Sequence, residues 1–263
     1  MSGKAGIIGL GLIGGSIGIA LREAGWFVVG QDVDAEQESI ALEMGAVDVI
    51  GAMDNVDIAF VATPVSSVVD AVFQAIDEGA IAVTDVGSVK GSIVQEVNSP
   101  KFVPGHPMAG SEQEGVRGAR GDLFSGAVWV LTPAGITDDG HFANVRAAIV
   151  EIGADVVVVD ADSHDELVAV VSHVPHLTAG ALMRIADEYS QEHRPLLRLA
   201  AGGVRDMTRI AAGHPGIWPD ICIENSEAIL RVIGEVIGSL EETKKIIASK
   251  DKEALLEELQ QAR

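Results

Sequence analysis

A glycine triplet, Gly9-Leu-Gly11-Leu-Ile-Gly14, stands between a short apolar run and a helical pattern, and it constrains the fold of this chain more than any other feature. A strand-like Ala5–Gly9 before it and a helix running to Ala24 after it give the context that a dinucleotide-binding turn demands. Gly9 permits the tight turn, Gly11 removes the side chain that would block a pyrophosphate, and Gly14 lets helix and strand pack closely. Leu12 and Ile13 open the helix, whose first N–H groups and partial positive charge then face the phosphates. Asp32 ends the second apolar run, Phe27–Asp32, where a carboxylate can accept hydrogen bonds from both adenosine ribose hydroxyls. It would repel a 2′-phosphate, and no Arg or Lys stands between Asp32 and Met44 to welcome one. The expected cofactor is NAD rather than NADP. Thr63 and Pro64 end a later strand and border the same crevice, although a plain strand-ending turn explains them equally well.

Around the triplet, strand-like runs alternate with helical patterns: Ala5–Gly9, Phe27–Asp32, Asp57–Val61, Ile81–Asp85, Lys101–Gly105, Ala127–Thr132 and Ala154–Val159. Such alternation predicts a parallel sheet with helices on both faces. With 48% hydrophobic but only 4% aromatic residues, the core must be aliphatic, which suits a sheet buried on both sides. Beyond Asp160 the strand-like runs stop and apolar residues recur at helical spacing. Val168, Val171, Leu177, Leu182 and Ile185 mark one helical region, expected to be interrupted or kinked near Pro175. Pro219 suits the first turn of a long helix whose Ala228, Ile229, Val232, Ile233, Val236, Ile237 and Leu240 form an apolar stripe, and Asp251 suits the N-cap of a last short helix. The expectation is an α/β domain over 1–160 and an all-helical domain over 161–263. The stripe is wider than a small helical domain needs for itself, so a homodimer through this domain is expected over an internal core helix.

The net charge of −21 argues against a nucleic-acid partner and an anionic membrane surface, because phosphate binding is driven by Lys and Arg. The single cysteine, Cys222, excludes an intramolecular disulfide and a cysteine zinc cluster. Ala5–Leu21 superficially resembles a secretory signal, but its six glycines and missing cleavage site make cytoplasmic residence the expectation. An anionic substrate would need a local positive pocket. Four polar segments supply His, Ser, Lys and Arg where loops are expected: Asp85–Lys90, Gly105–Glu112, Ser172–His176 and Arg205–Arg209. A dehydrogenase needs a group to hydrogen-bond the alcohol that loses hydride; His106 suits that task, with Ser88 placed to orient its imidazole. His173 and His176, with His164 or Asp165, could be read as metal ligands, but HxxH lacks the sequel of a zinc site and no metal is expected.

Taken jointly, GLGLIGGS at Gly9–Ser16, DVGSVK at Asp85–Lys90, GHPMAGSE at Gly105–Glu112, SHVPH at Ser172–His176 and RDMTRIA at Arg205–Ala211 resemble the prephenate and arogenate dehydrogenases of tyrosine biosynthesis. The resemblance implies a Rossmann-type domain followed by a helical dimerisation domain. It also implies oxidation of a ring alcohol, with prephenate the expected substrate over arogenate, while carbon dioxide leaves and hydride passes to NAD. By the same resemblance His106 would hydrogen-bond the ring hydroxyl and Ser88 would position His106. Arg209 would grip a substrate carboxylate, and Lys90, Ser111, Glu112, His176 and Trp218 would line the pocket. His173 is a weaker candidate, and no appended regulatory domain is expected. Two rivals remain. A β-hydroxyacid dehydrogenase would be expected to carry a catalytic Lys in its helical domain, and none lies between Asp160 and Glu241. A non-catalytic NAD-binding sensor would leave the His, Ser and Arg segments unexplained.

Overall fold

The computed structural model describes residues 3–111, 113–213 and 215–261. Six parallel strands form the main sheet: β1 (Lys4–Ile8), β2 (Phe27–Gln31), β3 (Val49–Ile50), β4 (Ile58–Val61), β5 (Ala82–Asp85) and β6 (Phe102–Val103), in the order β3-β2-β1-β4-β5-β6. Consecutive residues point to opposite faces, so Ile7 joins one apolar cluster with Ile17, Leu21, Phe124 and Trp129, while Ile8 joins the other with Val61, Val72 and Val83. Every residue of β4 and β5 is buried, as a sheet covered on both faces requires. The covering helices are α1 (Leu12–Glu23), α2 (Ala35–Glu43), α3 (Val68–Asp77), α4 (Gly91–Glu96) and α5 (Asp139–Glu151). The chain runs outward from β1 to β2 and later returns to β4 on the other side. That reversal leaves a crevice at the carboxyl ends of β1 and β4.

The expected single sheet is in fact two. The run Lys101–Gly105 divides at Pro104, which has no N–H to give to a ladder. Beyond it β7 (Gly105–Pro107) leaves the main sheet and pairs antiparallel with β8 (Val128–Leu131), which pairs parallel with β9 (Asp155–Val158).

The helical region begins at α6 (Ala161–Val168), capped by Asp160, whose carboxylate accepts from Ser163 N at 2.8 Å. The interruption or kink expected near Pro175 takes the form of a π turn, Ala169–His173, through which the helix continues into α7 (Val174–Glu192). The wider turn takes in one extra residue just before the proline. There follow α8 (Leu196–Leu199), α9 (Gly202–Ala211), α10 (Trp218–Glu224), α11 (Ser226–Ser249) and α12 (Lys252–Gln261). Arg205–Arg209, expected as a loop, is the body of α9, which packs along α7. The long helix expected from Pro219 is broken at Asn225, whose side chain is drawn inward. Asp251 caps α12 through Glu253 N and Ala254 N. Ala228, Ile229 and Val232 pack with Ala169 and Val174, whereas Ile237 and Leu240 farther along the same stripe are exposed.

Candidate active site

The glycine turn closes over the β1–β4 reversal. Gly9 has φ of 95°, and a side chain there would come within 2.5 Å of Ala62 O, so only glycine fits between the two strand ends. A Cβ on Gly14 would collide with Gly9 O, which is how closely α1 approaches the turn. A Cβ on Gly11 would meet no protein atom within 4 Å. Open space at Gly11, beside a helix start with no side-chain cap and no acidic residue in its first turn, fits a pyrophosphate on the N–H groups of Leu12 and Ile13. Asp32 stands at the end of β2 with its carboxylate held by Leu10 N at 2.5 Å and Asp34 N at 2.9 Å. Thr63 follows β4 at the same crevice, and its buried hydroxyl has no hydrogen-bond partner among the described residues. Pro64 precedes a 3-10 turn, Val65–Ser67, and the Ser66 hydroxyl donates to Asp220 at 2.7 Å, holding α10 beside the crevice.

At the end of β5 the chain buries an ion pair. Asp85 and Lys90 are both 0% exposed, and the Lys90 ammonium sits on Asp85 Oδ2. The same carboxylate accepts Gly87 N at 2.8 Å and Gly105 N at 3.0 Å, which ties β7 to the end of β5. Burial pushes the Lys90 ammonium below its ordinary value, against the charge and hydrogen bond of Asp85 and the charge of Asp165, which raise it. Lys90 was expected to line a substrate pocket; it is instead committed to Asp85, because a buried ammonium needs its counter-charge.

His106 lies in β7, 8% exposed. Its Nδ1 is 2.9 Å from Nε2 of His164, and the two rings meet edge to face at 5.1 Å. The other nitrogen of His164, Nδ1, is 2.7 Å from Asp165 Oδ1. Asp165 in turn accepts Lys90 N at 2.8 Å on Oδ1 and Gly91 N at 2.7 Å on Oδ2, at the start of α4. Burial pushes the Asp165 carboxyl up, but the hydrogen bonds from His164, Lys90 N and Gly91 N and the charge of His164 outweigh it, and the net shift is downward. His106 is held well below the usual histidine value, first by burial and then by the charges of His164, Lys90 and His173. Ser88 was expected to orient His106. Among the described residues no hydrogen bond joins it to His106, whose Nδ1 instead meets Nε2 of His164.

The helical wall carries the remaining candidates. His173 ends the π turn, with Nδ1 3.2 Å from Asn225 Nδ2, while the same amide nitrogen donates to Asp165 O at 2.8 Å. Burial, opposed by Asp165 and reinforced by His164, lowers His173 to about 4. His173 Nε2 and Trp218 Nε1 are both buried without a hydrogen-bond partner among the described residues. Trp218 meets His173 edge to face at 6.2 Å and stacks on His176 at 3.6 Å, with the planes 6° apart. His176 Nδ1 donates to Ile210 O at 3.0 Å, next to Arg209, whose exposed guanidinium makes no ion pair among the described residues. Burial lowers His176, partly offset by that hydrogen bond. Ser111 is exposed beyond β7 and accepts Gln113 N at 3.1 Å; Glu112 lies outside the described residues.

The fold therefore joins His106 and Lys90 to His164, Asp165, His173 and Asn225, and stacks Trp218 on His176 beside Arg209. His164 and Asp165 were weighed in the sequence only as metal ligands, and Asn225 not at all. The available signal was Asp160: as an N-cap it places His164 and Asp165 in the opening turns of α6, directly after the last strand.

A family model described as "Prephenate dehydrogenase, nucleotide-binding domain" matches residues 17–158, and one described as "Prephenate dehydrogenase, dimerization domain" matches residues 160–261. The chain is 34% identical over 265 residues to the prephenate dehydrogenase of Bacillus subtilis, covering 95% of this chain and 71% of that protein. The crystal structure of prephenate dehydrogenase from A. aeolicus in complex with hydroxyphenyl propionate and NAD+ is similar with a TM-score of 0.90 at 30% identity, covering 99% of this chain and 96% of that one. Synechocystis arogenate dehydrogenase is similar with a TM-score of 0.83 at 29% identity, covering 98% and 96%. With both of its halves matched in order and the fold shared from end to end, the chain belongs to the prephenate dehydrogenase family.

Proposed function

We propose that this protein oxidises prephenate to 4-hydroxyphenylpyruvate and carbon dioxide, within tyrosine biosynthesis, using NAD bound in the β1–β4 crevice. The observation that carries the reading is His106, buried and neutral, on the strand that Asp85 ties to the carboxyl end of β5. That end lies on the same edge of the parallel sheet as the open glycine turn. Bound there, NAD would supply the acceptor for the hydride. Gly9, Gly11 and Gly14 with Leu12 and Ile13 would cradle its pyrophosphate, Asp32 its adenosine ribose, and Thr63 and Pro64 would border it. His106 would accept the proton of the ring hydroxyl as the carbinol carbon loses hydride, and return it to the oxygen once the ring has become aromatic. The carboxylate bond electrons enter the ring as carbon dioxide leaves, so no net proton is consumed. Arg209 would hold a substrate carboxylate, a task for which its planar fork suits it better than Lys. His176, stacked on Trp218, would form a wall of the pocket, with Ser111 at its mouth.

Residues 1–160 form the NAD-binding unit and 161–263 the helical one in this reading, with the cap Asp160 as the divide. The stretch Ala161–Glu192 is long and apolar enough to cross a membrane by length and composition alone. Its exposed Leu167, Val170, Val171 and Ile185 face outward together with Leu230, Ile237 and Leu240 elsewhere in the helical region, whereas Asp165 on the same stretch holds the site. A second copy of the chain, not a membrane, is the proposed cover, in a cytoplasmic homodimer; a monomeric mass in solution would contradict it. Initial rates of nicotinamide reduction with prephenate and with arogenate, each with NAD and NADP, test the function. Prephenate with NAD is expected to give the highest kcat/KM, and no turnover in any combination would refute the assignment. His106→Asn is expected to lower kcat by about 10²–10⁴-fold with KM within a few-fold, while Arg209→Ala should chiefly raise KM.

A further inference from the structure

We infer that His164 and Asp165 are positioning residues that fix the tautomer of neutral His106, so that its Nε2 meets the substrate hydroxyl as a lone pair rather than as an N–H. The inference rests on His106 being the group that takes the hydroxyl proton.

The argument starts at the far end of the chain of hydrogen bonds. A carboxylate has only lone pairs to offer, and Asp165 is kept ionised by the N–H groups of Lys90 and Gly91 as well as by His164. The hydrogen between Asp165 and His164 therefore belongs to Nδ1 of His164. A neutral His164 then has a bare Nε2, and it is this atom that lies 2.9 Å from Nδ1 of His106. Two lone pairs cannot share that contact, so beside a neutral His164 the Nδ1 of His106 carries its hydrogen, and a neutral His106 is bare at Nε2. Both rings are buried, His164 to 1% exposure, so these protein groups decide the matter. The opposite tautomer would donate to the hydroxyl oxygen and could not take its proton.

The anchor itself is immobilised twice. The side chain of Asp165 spans the N-terminus of α4, and its carbonyl oxygen accepts from Asn225 at the break between α10 and α11. The titratable groups around His106 are His164 from α6, with Asp165 behind it, Lys90 with its partner Asp85 from the segment after β5, and His173 from the π turn. When His106 holds the transferred proton, His164 can pass its influence to the Asp165 carboxylate without that carboxylate being protonated. This is the orienting role of the buried carboxylate in a Ser-His-Asp triad, extended by one imidazole.

The test is nitrogen NMR of the NAD-loaded enzyme, with histidine labelled at both ring nitrogens, at pH 7. His106 is expected to show its hydrogen on Nδ1 and a bare Nε2; a hydrogen on Nε2 of neutral His106, with His164 doubly protonated, would overturn the inference. His164→Leu is expected to lose the fixed tautomer and about 100-fold in kcat, with NAD affinity unchanged and KM within a few-fold. His164→Gln, whose side-chain carbonyl can accept from His106 Nδ1, should keep the tautomer and recover turnover to within about tenfold of the parent. Wild-type turnover in His164→Leu would refute the positioning role. If His164→Leu fails to fold, the wild-type spectrum and the Gln variant decide. Because the spectrum needs no substrate, the expected tautomer in an enzyme that turns over no cyclohexadienol would leave this inference standing and sink the substrate assignment alone.

Discussion

Lys90→Met removes the ammonium from the buried pair while keeping most of the side-chain volume. Asp85 would retain the N–H groups of Gly87 and Gly105 but face them as an unpaired charge, 0% exposed. Breaking a buried pair on one side costs about 3–5 kcal/mol. Urea denaturation of both proteins should thus show a deficit of about 3–5 kcal/mol at pH 7, and adding Asp85→Asn, which removes the stranded charge, should recover part of it. A deficit below about 1 kcal/mol at pH 7, or no recovery with Asp85→Asn, would refute the buried-pair reasoning. A raised KM with unchanged stability would instead return Lys90 to the pocket wall.

Two further outcomes are expected. Gly11→Ala should leave stability within about 1 kcal/mol of the parent, since its Cβ meets no protein atom, yet weaken NAD binding more than tenfold by calorimetry, whereas Gly14→Ala, which collides with Gly9 O, should lower the urea midpoint. The wild-type protein should lose stability as pH falls from about 6.5 to about 4, because the unfolded chain takes protons there that buried His173 and His106 refuse. His173 alone accounts for about 3 kcal/mol of that loss, and Asp165, whose pKa is depressed, adds a further loss below its ordinary value; a urea midpoint flat between pH 7 and pH 4.5 would contradict the histidine contribution.

The glycine turn was legible in the sequence because its demands are local and steric: each glycine answers a contact with its own strand, helix or ligand. Asp32 was legible for the same reason, standing one strand away at a fixed offset. Lys90 was misjudged because a charged residue in a loop motif suggests an exposed pocket, while its burial depends on Asp85 and on how closely β7 approaches β5. The division between β6 and β7 was missed, although Pro104 lies inside the run and a residue without an N–H cannot sit inside a central ladder. His164, Asp165 and Asn225 were out of reach as partners of His106 and His173. Those contacts link residues 52 to 75 positions apart, and only the packing of α6 against the loop after β5, and of Asn225 at the α10–α11 break against α6 and the π turn, brings them together. The π turn was hidden as well, because the sequence around Pro175 suits a kink as well as a widened turn.

The central claim is that oxidation and decarboxylation are coupled on one substrate. Its most direct measurement is the ratio of NADH formed to carbon dioxide released when the purified protein is mixed with prephenate and NAD. The account predicts one of each per prephenate consumed, with both lost together in His106→Asn; NADH formed without carbon dioxide, or carbon dioxide released without NADH, would contradict it.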